Sequence, residues 1–308
     1  MITPTRIPLD PLAIGLMLIV CAVLGIQQVA LKSVAGDMSP VLQLAIRSGI
    51  AALLLGCVMW WRKERFALTD GTMLPGLSLG LLFSLEYLFL GEGLRHTSAS
   101  RMVVFLYSAP LVSAAVLHFM RREERLATVQ WAGVFIAFAG LTLAFLVAGD
   151  DSGGAMQSQL WGDFLGLMAG VAWGLSTVVV RTTSLATISA TRTLMYQLVV
   201  AVVALLLAAA ILDQTSFTLS GALLGSLLFQ GIVVAFGSFL VWLLLLKRYV
   251  ASELGVLLFM TPIFGVTFGV ILLDEPVRGI FVVGAVMVMV GIVLVSTGKQ
   301  LLKQLNRN

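Results

Sequence analysis

Apolar residues fill this chain in long runs that are separated by short polar connections. A helix that spans a membrane needs about 20 consecutive apolar residues, and ten runs come close to that length. The pattern therefore predicts ten membrane-spanning helices. Their approximate bounds are Leu12–Leu31, Val41–Trp61, Met73–Leu90, Met102–Met120, Val129–Ala148, Leu160–Val180, Ile188–Leu212, Ala222–Leu246, Leu254–Leu273 and Ile280–Thr297.

One apolar run occurs twice, together with its flanks, and the two copies are 152 residues apart. The matching pairs are Ala99 and Ala251, Ser100 and Ser252, Leu106 and Leu258, Tyr107 and Phe259, Pro110 and Pro262, Leu111 and Ile263, and Glu123 and Glu275. A proline inside a helix removes a backbone donor and bends or breaks the helix. Interrupted helices at matching positions of two halves point to a transport site, so Pro110 and Pro262 are the predicted hinges.

The repeat divides the chain into residues 1–149 and 160–308, joined by a loop at 150–159. Each half holds five spans, which is an odd number, so the second half enters the membrane from the opposite side. Two glycines recur seven residues apart in each half: Gly133, Gly140, Gly284 and Gly291. The expected fold is an all-α polytopic membrane protein, with ten transmembrane helices in two inverted five-helix repeats around a central cavity. Such halves can open one site to either side in turn.

Composition and charge agree with a membrane protein. Of the 308 residues, 59% are hydrophobic and 11% are charged, whereas soluble domains carry roughly 25% charged residues. The net charge of +4 does not indicate nucleic-acid binding, because the basic residues lie in short loops. If the N-terminus is cytoplasmic, the opposite side collects few of them: Lys32, Arg95, Arg101 and Arg278. This bias predicts that both termini are cytoplasmic. The expected location is a bacterial inner (plasma) membrane.

Glu86 is the most informative single residue, because it lies inside the third predicted span. An acidic residue at the bilayer centre costs roughly 2.5–3.5 kcal/mol on insertion scales. The functional interpretation is a carboxylate in the central cavity that binds a cationic group or a proton. The alternative is a structural partner for Arg47 or for a backbone donor. The residue 152 positions later is Ser238, so the acid is not duplicated. Arg47 itself is expected to snorkel or to form a structural salt bridge.

Other polar and aromatic residues within the spans give weaker signals. Tyr107 lies one turn before Pro110, and Trp173 lies in the middle of the sixth span. Both side chains either line a substrate passage or pack in the core. Interhelical hydrogen bonds are the first expectation for three residues: Gln28, Ser176 and Ser238. Helix-end or loop stabilisation is expected for Glu123 and Glu275, and close helix packing for Gly265 and Gly269. The candidate substrate-binding residues are Glu86, Tyr107, Trp173, Phe83, Ser238 and Gln28.

Several function classes lack sequence support. His96 and His118 are not at metal-ligand spacing, and Cys21 and Cys57 lie inside apolar runs, so no metal, cofactor or disulfide is expected. No glycine-rich phosphate loop is followed by lysine, and no nucleophile–base set indicates an enzyme. The scarcity of lysine and arginine in the middle of the spans argues against sugar phosphates and nucleotide sugars as substrates. The sequence leaves the oligomeric state open.

Motifs along nearly the whole chain resemble those of the EamA-type members of the drug/metabolite transporter superfamily. They are Leu94-Arg95-His96-Thr97-Ser98-Ala99, Tyr107-Ser108-Ala109-Pro110-Leu111, Arg122-Glu123-Glu124-Arg125-Leu126, Ala172-Trp173-Gly174 and Leu273-Asp274-Glu275-Pro276-Val277. The pattern of Ser84-Leu85-Glu86, Tyr107, Pro110 and Trp173 is most similar to that of YddG-type exporters. This resemblance implies ten helices in two inverted halves and efflux of amino acids, including aromatic ones, and related metabolites.

Two positions depart from the pattern of the family. Leu24 stands where many relatives have a tryptophan before the first-span glycine, and Ala109 stands where close relatives have one before the proline. A smaller side chain at position 109 widens the pocket, which argues against a strict preference for one aromatic substrate. The expected function is export of neutral or zwitterionic metabolites, amino acids first, through the lipid bilayer. The alternatives are efflux of lipophilic cations and, in another class, a membrane enzyme or scaffold that transports nothing.

Overall fold

The computed structural model describes residues 10–64, 71–120, 126–146, 154–249, 257–258 and 260–305. Within these ranges the chain forms helices and no strands. In chain order they are α1 (Pro11–Ser33), α2 (Pro40–Trp61), α3 (Met73–Gly93), α4 (Ala99–Leu106), α5 (Ala109–Met120), α6 (Thr128–Leu146), α7 (Gly154–Thr182), α8 (Ala190–Ile211), α9 (Gly221–Leu228), a π-helix (Phe229–Ser238), α10 (Phe239–Arg248), α11 (Met260–Leu273) and α12 (Gly279–Leu305).

Seven segments of the described chain are long and apolar enough to cross a membrane. They are Pro11–Ser33, Pro40–Trp61, Met73–Gly93, Ala99–Met120, Met156–Thr182, Ala190–Ile211 and Gly221–Trp242. Three shorter apolar helices accompany them: Thr128–Ala144, Met260–Leu273 and Gly279–Val295. Large apolar side chains cover the outer faces; Leu53, Trp60 and Ile211 are 74%, 84% and 83% exposed. The all-helical membrane fold is thus confirmed, while the count of ten spans stays a prediction.

Serine and aspartate side chains fix where several helices begin. Asp10 accepts a hydrogen bond from the Ala13 amide at 2.7 Å, and Pro11 follows it at the first position of α1. Ser39 accepts one from the Leu42 amide at 3.2 Å and also precedes a proline. These side chains replace partners that the first helical amides lack. Proline fits there because its missing donor costs no helical bond.

The fourth predicted span is interrupted. Helix α4 ends at Leu106, Tyr107 and Ser108 form a turn, and α5 begins at Ala109 with Pro110 in its first turn. Pro110 cannot donate to the Leu106 carbonyl, so that oxygen is left facing α7. There a Cβ atom on Gly170 would lie 2.9 Å from it, so glycine allows the close approach.

The second copy of this stretch is described in part. Pro262 lies in the first turn of α11, which begins at Met260. Several residues of the repeat lie outside the described residues: Glu123, Ala251, Ser252 and Phe259. The predicted loop at 150–159 is partly helical, because α7 already begins at Gly154.

Helices α6 and α12 cross through the four repeated glycines. A Cβ atom at Gly140 would lie 2.6 Å from the Gly284 carbonyl oxygen, and one at Gly133 would lie 2.6 Å from that of Gly291. The contacts therefore run antiparallel, and each glycine of one helix meets the backbone of the other. Small residues permit such approach between membrane helices, where packing rather than burial drives association.

A buried ion pair joins α4 to α7. Arg101 Nε donates to both carboxylate oxygens of Asp163 at 3.0 Å, and the Arg101 Nη2 donates to the Ala144 carbonyl of α6 at 2.8 Å. The Thr97 hydroxyl donates to the same carboxylate at 2.6 Å. Asp163 is fully buried and Arg101 is 6% exposed. Arg101 therefore lies in a helix and is covered, contrary to its predicted place in a loop.

We expect Gly140→Ala to destabilise the protein, because the new methyl group would press on the Gly284 carbonyl. Overpacking of this kind costs typically about 1–3 kcal/mol. The matched control is Gly15→Ala in α1, where a Cβ atom meets nothing within 4 Å. Thermal unfolding of the detergent-solubilised protein should show a lower Tm for Gly140→Ala and an equal or higher Tm for the control. Equal Tm values for both variants would contradict the close crossing.

We expect Asp163→Leu to destabilise the protein by about 3–5 kcal/mol, because Arg101 would stay buried without its counter-charge. Replacing both residues by leucine removes the charge as well, so the double variant should recover most of the lost Tm. The same thermal assay compares the two variants. A double variant that is less stable than Asp163→Leu would show that the pair is not the source of the effect.

Candidate functional site

Glu86 lies within α3, away from both ends of the helix, and faces the inside of the bundle. Glu86 is 6% exposed, and its Oε2 has no hydrogen-bond partner within the described residues. It is not the only buried acid, as the sequence suggested, because Asp163 and Glu275 are also buried. It differs from both, however, since their carboxylates accept several hydrogen bonds.

Arg47 of α2 is turned into the bundle and is 1% exposed. Its guanidinium carbon lies 4.2 Å from the centre of the Tyr87 ring, and its Nη1 donates to Gln230 Oε1 at 3.2 Å. The prediction that Arg47 snorkels is therefore wrong. It lies over the ring of Tyr87, which follows Glu86 in the chain, yet no ion pair joins Arg47 to Glu86 in the part of the chain that the structure describes.

The π-helix brings Gln230 to Arg47. Besides accepting the Arg47 bond, the Gln230 side chain donates to the Gln27 carbonyl of α1 at 2.8 Å. Gln230 is fully buried. Wider helical turns of this kind are rare and occur often at functional sites. The sequence analysis did not single out Gln230, although a polar side chain inside the eighth apolar run was a visible signal.

Two pairs of aromatic rings contain three of the predicted site residues. Tyr107 and Trp173 meet edge to face with ring centroids 5.3 Å apart, and Phe83 meets Tyr87 in the same way at 4.5 Å. Trp173 also packs against the hydrophobic cluster that contains Phe83 and Tyr87. The structure thus gathers four predicted site residues with Arg47. This set, called the central cluster below, consists of Arg47, Phe83, Glu86, Tyr87, Tyr107, Trp173 and Gln230.

Two predicted site residues are not tied to the central cluster. The Ser238 hydroxyl donates to the Val233 carbonyl of its own helix at 2.9 Å. Gln28 is buried, and its Oε1 has no hydrogen-bond partner within the described residues. The Ser176 hydroxyl likewise donates within α7, to Ala172 at 3.0 Å. The expectation of interhelical hydrogen bonds was therefore wrong for Ser176 and Ser238.

A second polar group lies at the N-terminus of α4. The Glu275 carboxylate accepts hydrogen bonds from the amides of Ala99 and Ser100 at 2.6 and 2.9 Å, and from the Ser100 hydroxyl at 2.7 Å. Lys32 lies 3.8 Å from the carboxylate and donates to the Thr97 carbonyl. An acid at a helix N-terminus is favoured by both the free amides and the dipole. Glu275 thus stabilises a helix end, as expected, but that of α4.

Helix α11 is packed closely enough to α4 to bring Glu275 there. A Cβ atom at Gly265 would lie 2.8 Å from the Val103 side chain, and one at Gly269 would lie 2.6 Å from Glu275 Oε2. Close packing by these two glycines is confirmed.

A surface recess of about 640 Å³ lies elsewhere and contains no predicted binding residue; it is lined by His96, Gln157, Ser158, Leu160, Trp161 and Phe164.

The central cluster combines hydrogen-bonding groups with aromatic surface. Glu86 offers an acceptor to an ammonium group, and the Tyr107 and Trp173 rings offer apolar and cation-attracting surface. The prolines and the π-helix place irregular backbone beside these groups, which is tolerated at membrane depth where it faces protein or a cavity.

The chain is similar to several known proteins. The model of the EamA-like transporter family matches the chain twice, over residues 11–146 and 160–297. An uncharacterized transporter of Bacillus subtilis, YoaV, is 24% identical over 87% of this chain and 91% of its own length. A WAT1-related chloroplast protein of Arabidopsis thaliana is 28% identical over 88% of this chain and 66% of its own.

One solved crystal structure shares the fold, with a TM-score of 0.65 over 92% of this chain and 94% of the other, at 18% identity. An uncharacterized transporter of Synechocystis is 25% identical over 91% of this chain. The family match covers most of the chain, and the described helices are those of an integral membrane protein. The chain therefore belongs to the EamA-like transporter family, within the drug/metabolite transporter superfamily, and is a membrane transporter.

Proposed function

We propose that this transporter exports amino acids, aromatic and other neutral ones, and related small metabolites by alternating access. The observation that carries the proposal is the buried Glu86 carboxylate, whose Oε2 has no partner within the described residues. A buried acceptor without a hydrogen-bond partner destabilises the protein. A substrate ammonium group that donates to Glu86 would remove this cost, which favours binding. The Tyr107 and Trp173 rings beside it receive the side chain of the substrate.

Two inverted five-helix halves provide the alternation in this proposal. The support is reciprocal packing: Gly25 of α1 lies against Phe264 and Gly265 of α11, and Gly174 of α7 lies against Ala109 and Val112 of the α4–α5 region. These two contacts exchange when the halves are exchanged. The antiparallel glycine crossing of α6 and α12 and the two family matches have the same symmetry. Pro110 and Pro262 are the proposed hinges.

The contacts of Glu275 hold one end of the passage shut in this scheme. Opening that end requires α4 to separate from α11 and from Lys32, which breaks the hydrogen bonds of Glu275. On the charge distribution of the loops this end is the outer one, with both termini in the cytoplasm and the protein in a bacterial inner membrane. In the sequence repeat, Glu123 is the counterpart of Glu275 for the other end.

Efflux of lipophilic cations is the second candidate, because the same carboxylate and aromatic rings bind them. Cationic dyes that compete fully with labelled phenylalanine or methionine would favour it. A non-transporting enzyme or scaffold is disfavoured by a family whose members are named as transporters.

We expect Glu86→Gln to lower amino-acid flux at least about tenfold, because hydrogen bonds to charged groups contribute about 1.5–3 kcal/mol. Counterflow of labelled phenylalanine and methionine into proteoliposomes measures the flux. The matched control is Glu92→Gln, which removes an acid from the same helix outside the central cluster and should keep flux within about a factor of two of wild type. Unchanged flux in Glu86→Gln would remove Glu86 from the binding site.

We expect Glu275→Ala to expose the interior from the Lys32 end, because α4 loses the carboxylate that holds its N-terminus. The reporter is Cys21, which is buried in α1 and donates to the Leu257 carbonyl at 3.2 Å. In a Cys57→Ser background, an impermeant maleimide added to intact cells should label Cys21 several-fold faster. Glu64→Ala, which removes an acid that binds Thr191 and Ser189 at the start of α8, is the control. A labelling rate that does not rise would show that Glu275 does not close this end.

A further inference from the structure

Arg47 has one N–H donor, its Nε, that is unpaired within the described residues. The Nη1 of its guanidinium group binds Gln230 and its face covers Tyr87, but its Nε has no hydrogen-bond partner within the described residues. Arg47 is only 1% exposed. A structural arginine at membrane depth is normally paired throughout, and this chain contains such a case in Arg101, which binds Asp163 and the Ala144 carbonyl.

Glu86 is unsatisfied in the same way. Its Oε2 is buried without a partner, next to an arginine with which it forms no ion pair within the described residues. An acidic and a basic side chain that form no ion pair with each other leave one unpaired acceptor and one unpaired donor. A single ligand that carries an ammonium group and a carboxylate would satisfy both.

The surroundings of Arg47 hold the guanidinium group in place without a ligand. The Tyr87 ring lies at 4.2 Å and fixes its plane, and Gln230 is itself anchored to the Gln27 carbonyl of α1. An arginine positioned in this way binds a carboxylate through parallel N–H bonds, which a lysine cannot reproduce. The preformed geometry reduces the ordering that binding requires.

We propose that Arg47 binds the carboxylate of a zwitterionic substrate whose ammonium group binds Glu86. The inference rests on the proposed function and narrows its substrate class to α-amino acids and similar zwitterions. The Tyr107 and Trp173 rings, which meet edge to face, receive the substrate side chain. A lipophilic cation gains nothing from Arg47 and is repelled by it, so the same residue selects against the second candidate function.

The first experiment needs no variant. Wild-type protein in liposomes takes up labelled phenylalanine by counterflow, in competition with phenylalanine, phenylalaninamide and N-acetylphenylalanine. The amide keeps the ammonium group and loses the carboxylate charge, and the N-acetyl compound does the reverse. Both should compete at least about tenfold less well than phenylalanine. An amide that competes as well as phenylalanine would overturn the role of Arg47.

The second experiment separates the two charges. Arg47→Gln should lose at least about tenfold in phenylalanine flux while it keeps the flux of labelled phenylalaninamide, so the ratio of the two falls. Arg47→Lys, which keeps the charge but loses the planar edge, should fall between wild type and Arg47→Gln. Arg95→Gln, which removes an exposed arginine, is the control and should keep the wild-type ratio.

The outcomes distinguish this inference from the function beneath it. If Arg47→Gln lowers the flux of both compounds by the same factor, Arg47 has a structural role and the inference fails while amino-acid export stands. If wild-type protein moves no amino acid, the proposed function fails and the inference fails with it. If Arg47→Gln does not fold, the competition series with wild-type protein decides.

Discussion

A charge inside this bundle must find its partners within the protein, because lipid offers none. Two arginines are buried within the described residues, and they meet this constraint in opposite ways. Arg101 binds Asp163 and a carbonyl of α6, so it joins three helices. Arg47 is held by a ring and an amide and keeps its Nε unbound within the described residues. The first arrangement joins helices of the fold, and under the proposed function the second leaves a donor for the substrate.

The same constraint explains where the backbone is irregular. The break at Tyr107 and Ser108 frees a carbonyl that glycine of α7 covers closely, and the π-helix presents Gln230 to two other helices. A regular helix satisfies its backbone hydrogen bonds internally, whereas these irregular segments depend on groups of neighbouring helices. The irregular backbone lies beside the central cluster. A change in how the halves pack would therefore alter the contacts of this region first.

The sequence predicted the parts of this arrangement that are local. The apolar runs, the interruption before Pro110 and the close approach at Gly265 and Gly269 follow from residue type and spacing, and the structure contains them. Glu86 could be picked out because an acid in the middle of an apolar run is costly wherever the run packs. These inferences need no knowledge of which helices meet.

The parts that failed depend on partners far apart in the chain. Asp163 lies near the predicted start of a span, where an acid reaches water at little cost, so nothing in the sequence revealed Arg101 as its partner. Arg47 was expected to snorkel for the same reason. Glu275 binds amides about 175 residues earlier in the chain, and no local pattern encodes that contact. Where a side chain finds its partner decides whether it is structural or functional, and that depends on packing between helices.

The contrast between rigid and breakable contacts gives the alternation a physical basis. At the crossing of α6 and α12 the two backbones are in contact. Because packed interiors leave little free space, the two helices cannot slide past each other without steric clashes. Around α4 and α11 the contacts are hydrogen bonds of one carboxylate, which water or another donor can replace. A transporter that cycles needs both kinds, because a pair of halves that is loose everywhere does not seal and one that is tight everywhere does not open. Under the proposed mechanism the glycine crossing keeps the halves together while the Glu275 contacts form and break, and the zwitterion that satisfies Arg47 and Glu86 is carried between the two states.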